Sequence, residues 1–354
     1  MDRRVENSGT TDVRSAHRFD AVALEAWLRD HVEGYSGPLR VEQFKGGQSN
    51  PTYKLITPAR SYVLRRKPPG PLLPGAHAVD REYRVISALA TQGFPVARTY
   101  GLCLDEAVIG TAFYVMEMVE GRIFWDTSLP EIAAADRPAY FDVMNATLAA
   151  LHGVDPEAAG LADYGKPGNY FARQIGRWSR QYRDDVEAGR LVAMDRLAEW
   201  LPENIPPDEP RPRILHGDYR CDNMVFHPER PEVLAVLDWE LSTLGHPLAD
   251  FSYHLMMYRM PDALAGRDLA ALNIPSEADY VAAYCRRTGR DGIADLDFYM
   301  AFNLFRLAGI VHGIKGRLIR GNASSAHAGE MVKRLEPLAE LAWAQAVKAG
   351  APEA

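Results

Sequence analysis

The chain has 354 residues, 47% of them hydrophobic and 25% charged, proportions of a folded protein that exclude wholesale disorder. Forty Lys plus Arg against 47 Asp plus Glu leave a net charge of −7, and only seven of the cations are lysines. That balance excludes a general nucleic-acid or anionic-membrane binder and leaves room only for a local basic patch. Cys103, Cys221 and Cys285 lie far apart with no metal-ligand or C-x-x-C spacing, which predicts no disulfide framework and a cytoplasmic, reducing setting. No stretch reaches the roughly 18 uninterrupted apolar residues of a membrane span, and MDRRVENSGTTDVRSAH has no apolar core of a signal peptide. A soluble protein with no membrane partner is expected.

Residues 1–18 read as a disordered lead. Phe19, Val22, Ala23, Ala26 and Trp27 recur at helical spacing up to Gly34. LRVEQFK, PTYKLIT and SYVLRRK then read as three strands, with the Gly-rich KGGQSN between the first two. KPPGPLLPG (67–75) cannot be regular structure. Residues 79–93 read as a helix closed by Gly93, and PVARTYGLC and TAFYVMEMV as further strands. At 119–125 the strand pattern gives way to long helical patterns at 136–152, 169–188 and 191–201. A Pro-rich gap at 204–213 precedes two short strands, NMVFH and VLAVLDW. Helices at 247–258, 276–287, 295–316 and 323–348 complete the chain. The expected organisation is a β-rich half over 19–118 and a helical half over 119–348.

The stretch that carries chemistry is 214–254, where His216-x-Asp218-x-x-x-x-Asn223 is followed by Asp238 at the end of an apolar strand. This is the spacing of a phosphoryl-transfer apparatus. An acceptor hydroxyl is a poor nucleophile until a carboxylate orients it and takes its proton, a role for Asp218. Asn223 and Asp238 supply hard oxygen ligands for Mg²⁺ at the nucleotide phosphates. Phosphoryl transfer depends mostly on positioning and charge neutralisation, so these parts are nearly the minimum.

HGDYRCDN with LDWE resembles the aminoglycoside phosphotransferase and choline-kinase superfamily, a branch of the protein-kinase-like fold. FKGGQSNPTYKL, YVLRRKPPG, AHAVDREYRVISAL and LAVLDWELSTLGHPLAD are similar to the kinase-like half attached to some acyl-CoA dehydrogenases and to its stand-alone bacterial relatives. The resemblance spans about residues 35–345. It implies an α+β, bilobal protein-kinase-like fold with a small β-rich N-lobe and a helical C-lobe, and it implies ATP and Mg²⁺ as cofactors. Asp218 would orient or deprotonate the acceptor, Asn223 and Asp238 would hold the metal, and His216 and Asp250 would brace the loop.

In the small lobe V63-L64-R65 falls where kinases carry their phosphate-gripping lysine. Strand alternation sets Val63 and Arg65 on one face and Leu64 and Arg66 on the other. Arg65, paired with Glu82, is the expected phosphate contact, with Arg66 and Lys67 as alternatives because a guanidinium reaches differently from an ammonium. Gly46, Gly47, Ser49 and Asn50 form the expected nucleotide-covering loop, where glycines admit close backbone approach to phosphate; a plain hairpin turn is the other reading. The backbone at Glu117 and Met118 would meet adenine.

One helix hints at the acceptor. On the 169–188 pattern Phe171, Ile175, Trp178 and Tyr182 fall together and Arg173, Arg177 and Arg180 oppose them. The arginines read as a solvated face or as a cationic wall for an acidic acceptor such as a coenzyme A thioester. The expected activity is O-phosphorylation of a small-molecule hydroxyl, for instance of a hydroxyacyl-CoA. An aminoglycoside phosphotransferase and a non-catalytic pseudokinase are the alternatives.

Overall fold

The structure, a computed structural model, describes residues 8–46, 50–70, 77–166, 168–321 and 328–353. In chain order it runs β1 (Thr10–Thr11), α1 (Ala21–His31), β2 (Arg40–Phe44), β3 (Thr52–Ile56), β4 (Ser61–Arg66), α2 (Val79–Thr91), β5 (Thr99–Cys103) and β6 (Phe113–Glu117). Next come α3 (Arg137–Gly153), α4 (Tyr170–Asp184), α5 (Val192–Glu203), β7 (Arg213–Leu215), β8 (Met224–Phe226), β9 (Val233–Val236), β10 (Thr243–Gly245) and α6 (Pro247–Leu255). Five helices close the chain: α7 (Leu269–Leu272), α8 (Glu277–Thr288), α9 (Leu296–Ile319), α10 (Ala328–Val332) and α11 (Leu335–Lys348).

These elements divide into two units. The first comprises Met1–Ala150, Val154–Ala162 and Arg220–Ser242, and the second Leu151–Gly153, Asp163–Tyr219 and Thr243–Ala354. The expected break at 118–119 lies inside the first unit, which also takes in most of α3 and the β8–β9 hairpin.

The first unit is built on a six-stranded antiparallel sheet of order β1-β2-β3-β4-β6-β5. Period-two alternation gives it two distinct faces. Tyr53, Leu55, Tyr62, Leu64, Phe113 and Val115 pack on one face against Leu24, Trp27 and Leu28 of α1. That helix starts where the sequence provides an N-cap: the Asp20 carboxylate accepts from the amides of Val22 (2.8 Å) and Ala23 (3.1 Å). The opposite face carries Val63, Arg65, Tyr114 and Met116, which line a pocket. The alternation deduced for β4 therefore holds.

Residues 8–18, expected as part of a disordered lead, instead add β1 to the sheet edge and a 3₁₀ turn at Ser15–His17. Backbone pairing and the Tyr53 hydroxyl, which donates to the His17 carbonyl at 3.0 Å, hold them without any apolar periodicity. The rest of that lead, residues 1–7, lies outside the described residues.

The second unit is helical, with the two-stranded β7–β10 ribbon. Its long α9 packs against α11, α4, α6 and α5. The single helix expected over 323–348 is two, α10 and α11, with residues 322–327 outside the described set. Cys103, Cys221 and Cys285 are buried and unpaired, as expected. No helix among the described residues is long and apolar enough to cross a membrane.

Candidate active site

In the first unit a pocket of about 270 Å³ opens on the sheet face opposite α1. Val63, Ile86, Ala97, Met116, Val225 and Val236 make its apolar walls; Arg65, Asp222, Asn223 and Asp238 give it polar groups. A mostly apolar cleft with a few polar groups is the usual form of a small-molecule site, and this one lies just below the about 300–1,000 Å³ range. Gly46 from the expected loop lines it, as do Glu117 and Met118 from the end of β6. The Glu117 amide already donates to the Arg98 carbonyl at 2.8 Å, so of its backbone groups only the carbonyl is available to a nucleobase on that count.

The cationic element is Arg65. Its Nε lies 2.7 Å from Glu82 Oε2, its Nη2 2.6 Å from Asp238 Oδ1 and 3.4 Å from Glu240 Oε2. Arg66, the neighbouring alternative, points to the other face and sits over the Phe19 ring at 5.3 Å. Lys67 gives its backbone amide to Ala112. Strand geometry thus singles out Arg65 as the partner of Glu82. Burial alone would lower the Arg65 pKa, but the carboxylates of Glu82 and Asp238 more than offset it and hold the guanidinium charged. Burial pushes the Glu82 carboxyl up from its ordinary value even against Arg65. Asn50 fixes Glu82 from a second side, donating from Nδ2 to Oε1 at 2.8 Å, and the Tyr114 hydroxyl donates to Oε2 at 3.1 Å. Asn50 is fully buried and its Oδ1 lies 2.9 Å from His77 Nδ1, so this expected loop residue acts here on Glu82. Gly47 and Ser49 lie outside the described residues.

The two expected metal ligands are brought together by a hairpin. Met224 pairs with Val236, and the Leu237 amide donates to the Asn223 carbonyl at 2.8 Å. Asn223 and Asp238 therefore stand at the same open end of β8–β9, although 15 positions separate them in the chain. Asp238 has φ 63° and ψ 64°, a left-handed conformation that costs a non-glycine residue about 1–3 kcal/mol. Trp239 behind it is buried, donates from Nε1 to the Val236 carbonyl at 2.9 Å and packs edge-on to Phe94. This anchoring holds the turn that aims Asp238.

The loop with Asp218 belongs to the second unit. Asp250 on α6 accepts the amides of His216 (2.7 Å) and Gly217 (2.8 Å), and its Oδ2 lies 3.5 Å from His152 Nε2. Burial works to raise the Asp250 pKa, but its interactions with His152 and the His216 amide bring it below the ordinary value. Gly217 has φ 87°, which a side chain would resist. His216 is fully buried and its Nδ1 accepts from the Asp218 amide at 3.1 Å, a bracing contact. The Asp218 carboxylate accepts from the Tyr253 hydroxyl at 2.5 Å.

Arg173 donates to the Lys166 carbonyl at 2.8 Å, and the Arg177 guanidinium lies over the Trp178 ring at 5.3 Å. Phe171, Ile175 and Tyr182 are buried on the opposite side of the helix.

Sequence reasoning missed Glu240, Tyr253 and Arg306. Glu240 was in plain view in LDWE. Tyr253 is three residues after Asp250 on a predicted helix, a same-face spacing that could have flagged it. Arg306 interrupts an apolar run in the sequence, MAFNLFRLAGIV, with no local signal of its contacts.

Comparison with known proteins places these features in context. The model of the phosphotransferase enzyme family matches residues 40–299. Acyl-CoA dehydrogenase family member 11 of Gallus gallus is 45% identical over 344 residues, covering 94% of this chain and 44% of that protein. The chain spans between about a third and less than half the length of such curated relatives. A solved candidate aminoglycoside phosphotransferase of Ralstonia eutropha JMP134 is 55% identical with a TM-score of 0.86, covering 94% of this chain and 99% of that one. Spectinomycin phosphotransferase, solved with ADP and spectinomycin, has a TM-score of 0.64 at 13% identity, covering 92% of this chain and 98% of that one; this likeness shows the kinase-like α+β fold.

Proposed function

The chain belongs to the phosphotransferase enzyme family, and we propose that it is an ATP- and Mg²⁺-dependent kinase that phosphorylates a hydroxyl of a small molecule. The observation that carries this reading is the polar end of the first-unit pocket, where Arg65, held by Glu82, meets Asp238, with Asn223 lining the same pocket. An apolar cleft ending in a fixed cation and hard oxygen donors suits an adenine followed by phosphates.

Asn223 and Asp238 fit Mg²⁺ by donor chemistry: an amide and a carboxylate oxygen beside phosphates match an ion that keeps several waters and takes few protein ligands. The Asp238 carboxylate already faces a cation, the Arg65 guanidinium. When bound, Mg²⁺ supplies charge neutralisation at the phosphate oxygens. Arg65 grips the phosphates and Glu82 holds Arg65 in place. Met118 offers its backbone to adenine.

Asp218 accepts the proton of the acceptor hydroxyl as that oxygen attacks the γ-phosphorus. The bond from the γ-phosphorus to the β,γ-bridging oxygen breaks, and its electron pair leaves on ADP. The intact set of Asp218, Asn223 and Asp238 favours this reading over a pseudokinase.

For the acceptor we favour a hydroxyacyl-CoA or a related acidic metabolite. Support comes from the arginines Arg173 and Arg177 on α4 and from relatives named for acyl-CoA dehydrogenase. A polycationic aminoglycoside would call for an acidic cleft, and the antibiotic-binding neighbours at low identity speak only to fold. Labelled ATP, incubated with hydroxyacyl-CoAs and aminoglycosides side by side, tests the choice. Transfer to the CoA esters is expected; transfer to aminoglycosides alone overturns the acceptor, and no transfer to any hydroxyl compound favours the pseudokinase.

A further inference from the structure

We propose that Tyr253 is a positioning residue for the transfer: its phenol holds the Asp218 carboxylate in the one orientation that meets the acceptor hydroxyl. The inference rests on the role of Asp218 given above.

The argument starts from α6. Asp250 and Tyr253 stand three residues apart on this helix, so they project from the same face. Together they contact three consecutive loop residues. Asp250 takes the backbone amides of His216 and Gly217, and Tyr253 donates its hydroxyl to Asp218 Oδ1 at 2.5 Å. The first two contacts fix backbone. The third ends on the side chain to which the chemistry is assigned.

The tyrosine is itself held. Arg306 of α9 lies over its ring, 5.2 Å from the centroid, and donates from Nη2 to the Gly217 carbonyl at 2.8 Å. One buried guanidinium therefore fixes both the loop and the ring that aims the carboxylate. An aspartate side chain has two freely turning torsions, and an acceptor hydroxyl must find its oxygen within about 2.6–3.2 Å. A hydrogen bond from a clamped phenol removes that freedom, and misplacement of a reacting group by about 1 Å can cost about a hundredfold in rate.

Tyr253→Phe deletes a single oxygen and keeps the ring under Arg306. The test measures Mg-ATP hydrolysis, with water as the acceptor, and the crystal structure of the variant beside the parent. Expected are a kcat lowered about 10- to 100-fold, a KM for ATP within about twofold, and a rotated Asp218 carboxylate. A kcat within about threefold of the parent, or an unmoved carboxylate, overturns the proposal. A tyrosine with only a packing role would lower the melting temperature without turning Asp218. Asp218→Asn, assayed alongside, separates the two failures. Parent-like hydrolysis by Asp218→Asn removes the role of Asp218 and this inference with it. A slow Asp218→Asn beside a parent-like Tyr253→Phe removes only the role of Tyr253.

Discussion

Arg65 is the residue on which burial, charge and function meet. Its side chain is only about 10% exposed and its guanidinium lies against Glu82, whose side chain is about 2% exposed. Removing one member of such a pair strands a buried charge, at a cost of about 3–5 kcal/mol, whereas removing both costs far less. Arg65→Met should therefore destabilise the protein by about that amount in urea unfolding, and Arg65→Met with Glu82→Met should recover most of it. Additive losses would contradict the coupling. Asp238 answers to a different assay. Asp238→Ala keeps the left-handed strain, since alanine also carries a Cβ, and should weaken ATP binding at least about tenfold with Mg²⁺ present, and little without it; equal affinities in titration calorimetry would remove its metal role. Asp218→Ala should abolish turnover while ATP affinity stays near that of the parent. Strand alternation made Arg65 legible from sequence. The contact of Asp238 with Arg65, 173 positions away, was not, because nothing local encodes it.

At the scale of elements, α6 and α9 explain how polar residues end up inside a helical unit. Asn303, Arg306 and His312 interrupt the apolar run of α9, and each is buried. Asn303 donates to the Ala249 carbonyl at 2.9 Å, Arg306 to the Gly217 carbonyl, and His312 Nε2 lies 2.8 Å from the Gly189 carbonyl. They are tethers between elements, and a buried polar group with a partner escapes most of the penalty of burial. Asp250 on α6 is the most exacting of these. Asp250→Ala leaves two buried amides without acceptors, at about 1–3 kcal/mol each, so a loss of about 2–6 kcal/mol is expected in denaturant unfolding, together with loss of activity. Stability near that of the parent would show that the loop does not depend on this carboxylate.

For the whole molecule, two buried histidines contribute to the pH response. His246 and His254 are pushed down to about 4, in both cases chiefly by burial. The unfolded chain, with ordinary values near 6.5, takes up protons first as pH falls, so the contribution of these two groups is complete above about pH 6.5 and is lost toward pH 4. Below the folded-state values these two groups add no further loss. Urea midpoints should fall between pH 7 and pH 5, by more than in a His246→Asn, His254→Asn double variant; equal slopes would contradict the assignment. The buried Cys221 thiol, pushed up to about 12 by burial, belongs to the same picture of a closed interior.

Periodicity and motif spacing by themselves determined strands β2 to β6 of the sheet, the helix bearing Glu82, the hairpin strands β8 and β9, and the residues proposed for phosphoryl transfer, because each is written within a few neighbouring positions. Tertiary structure decided the remainder. The sheet's two faces bury different partners, which is why Arg65 meets Glu82 and Asp238 while Arg66 turns to Phe19. The edge strand at Thr10–Thr11 exists by pairing to β2 alone, a long-range bond with no local signature. Tyr253 reached Asp218 through the packing of α6 and α9, and a residue's neighbours across space follow from how its element packs, not from its own place in the chain.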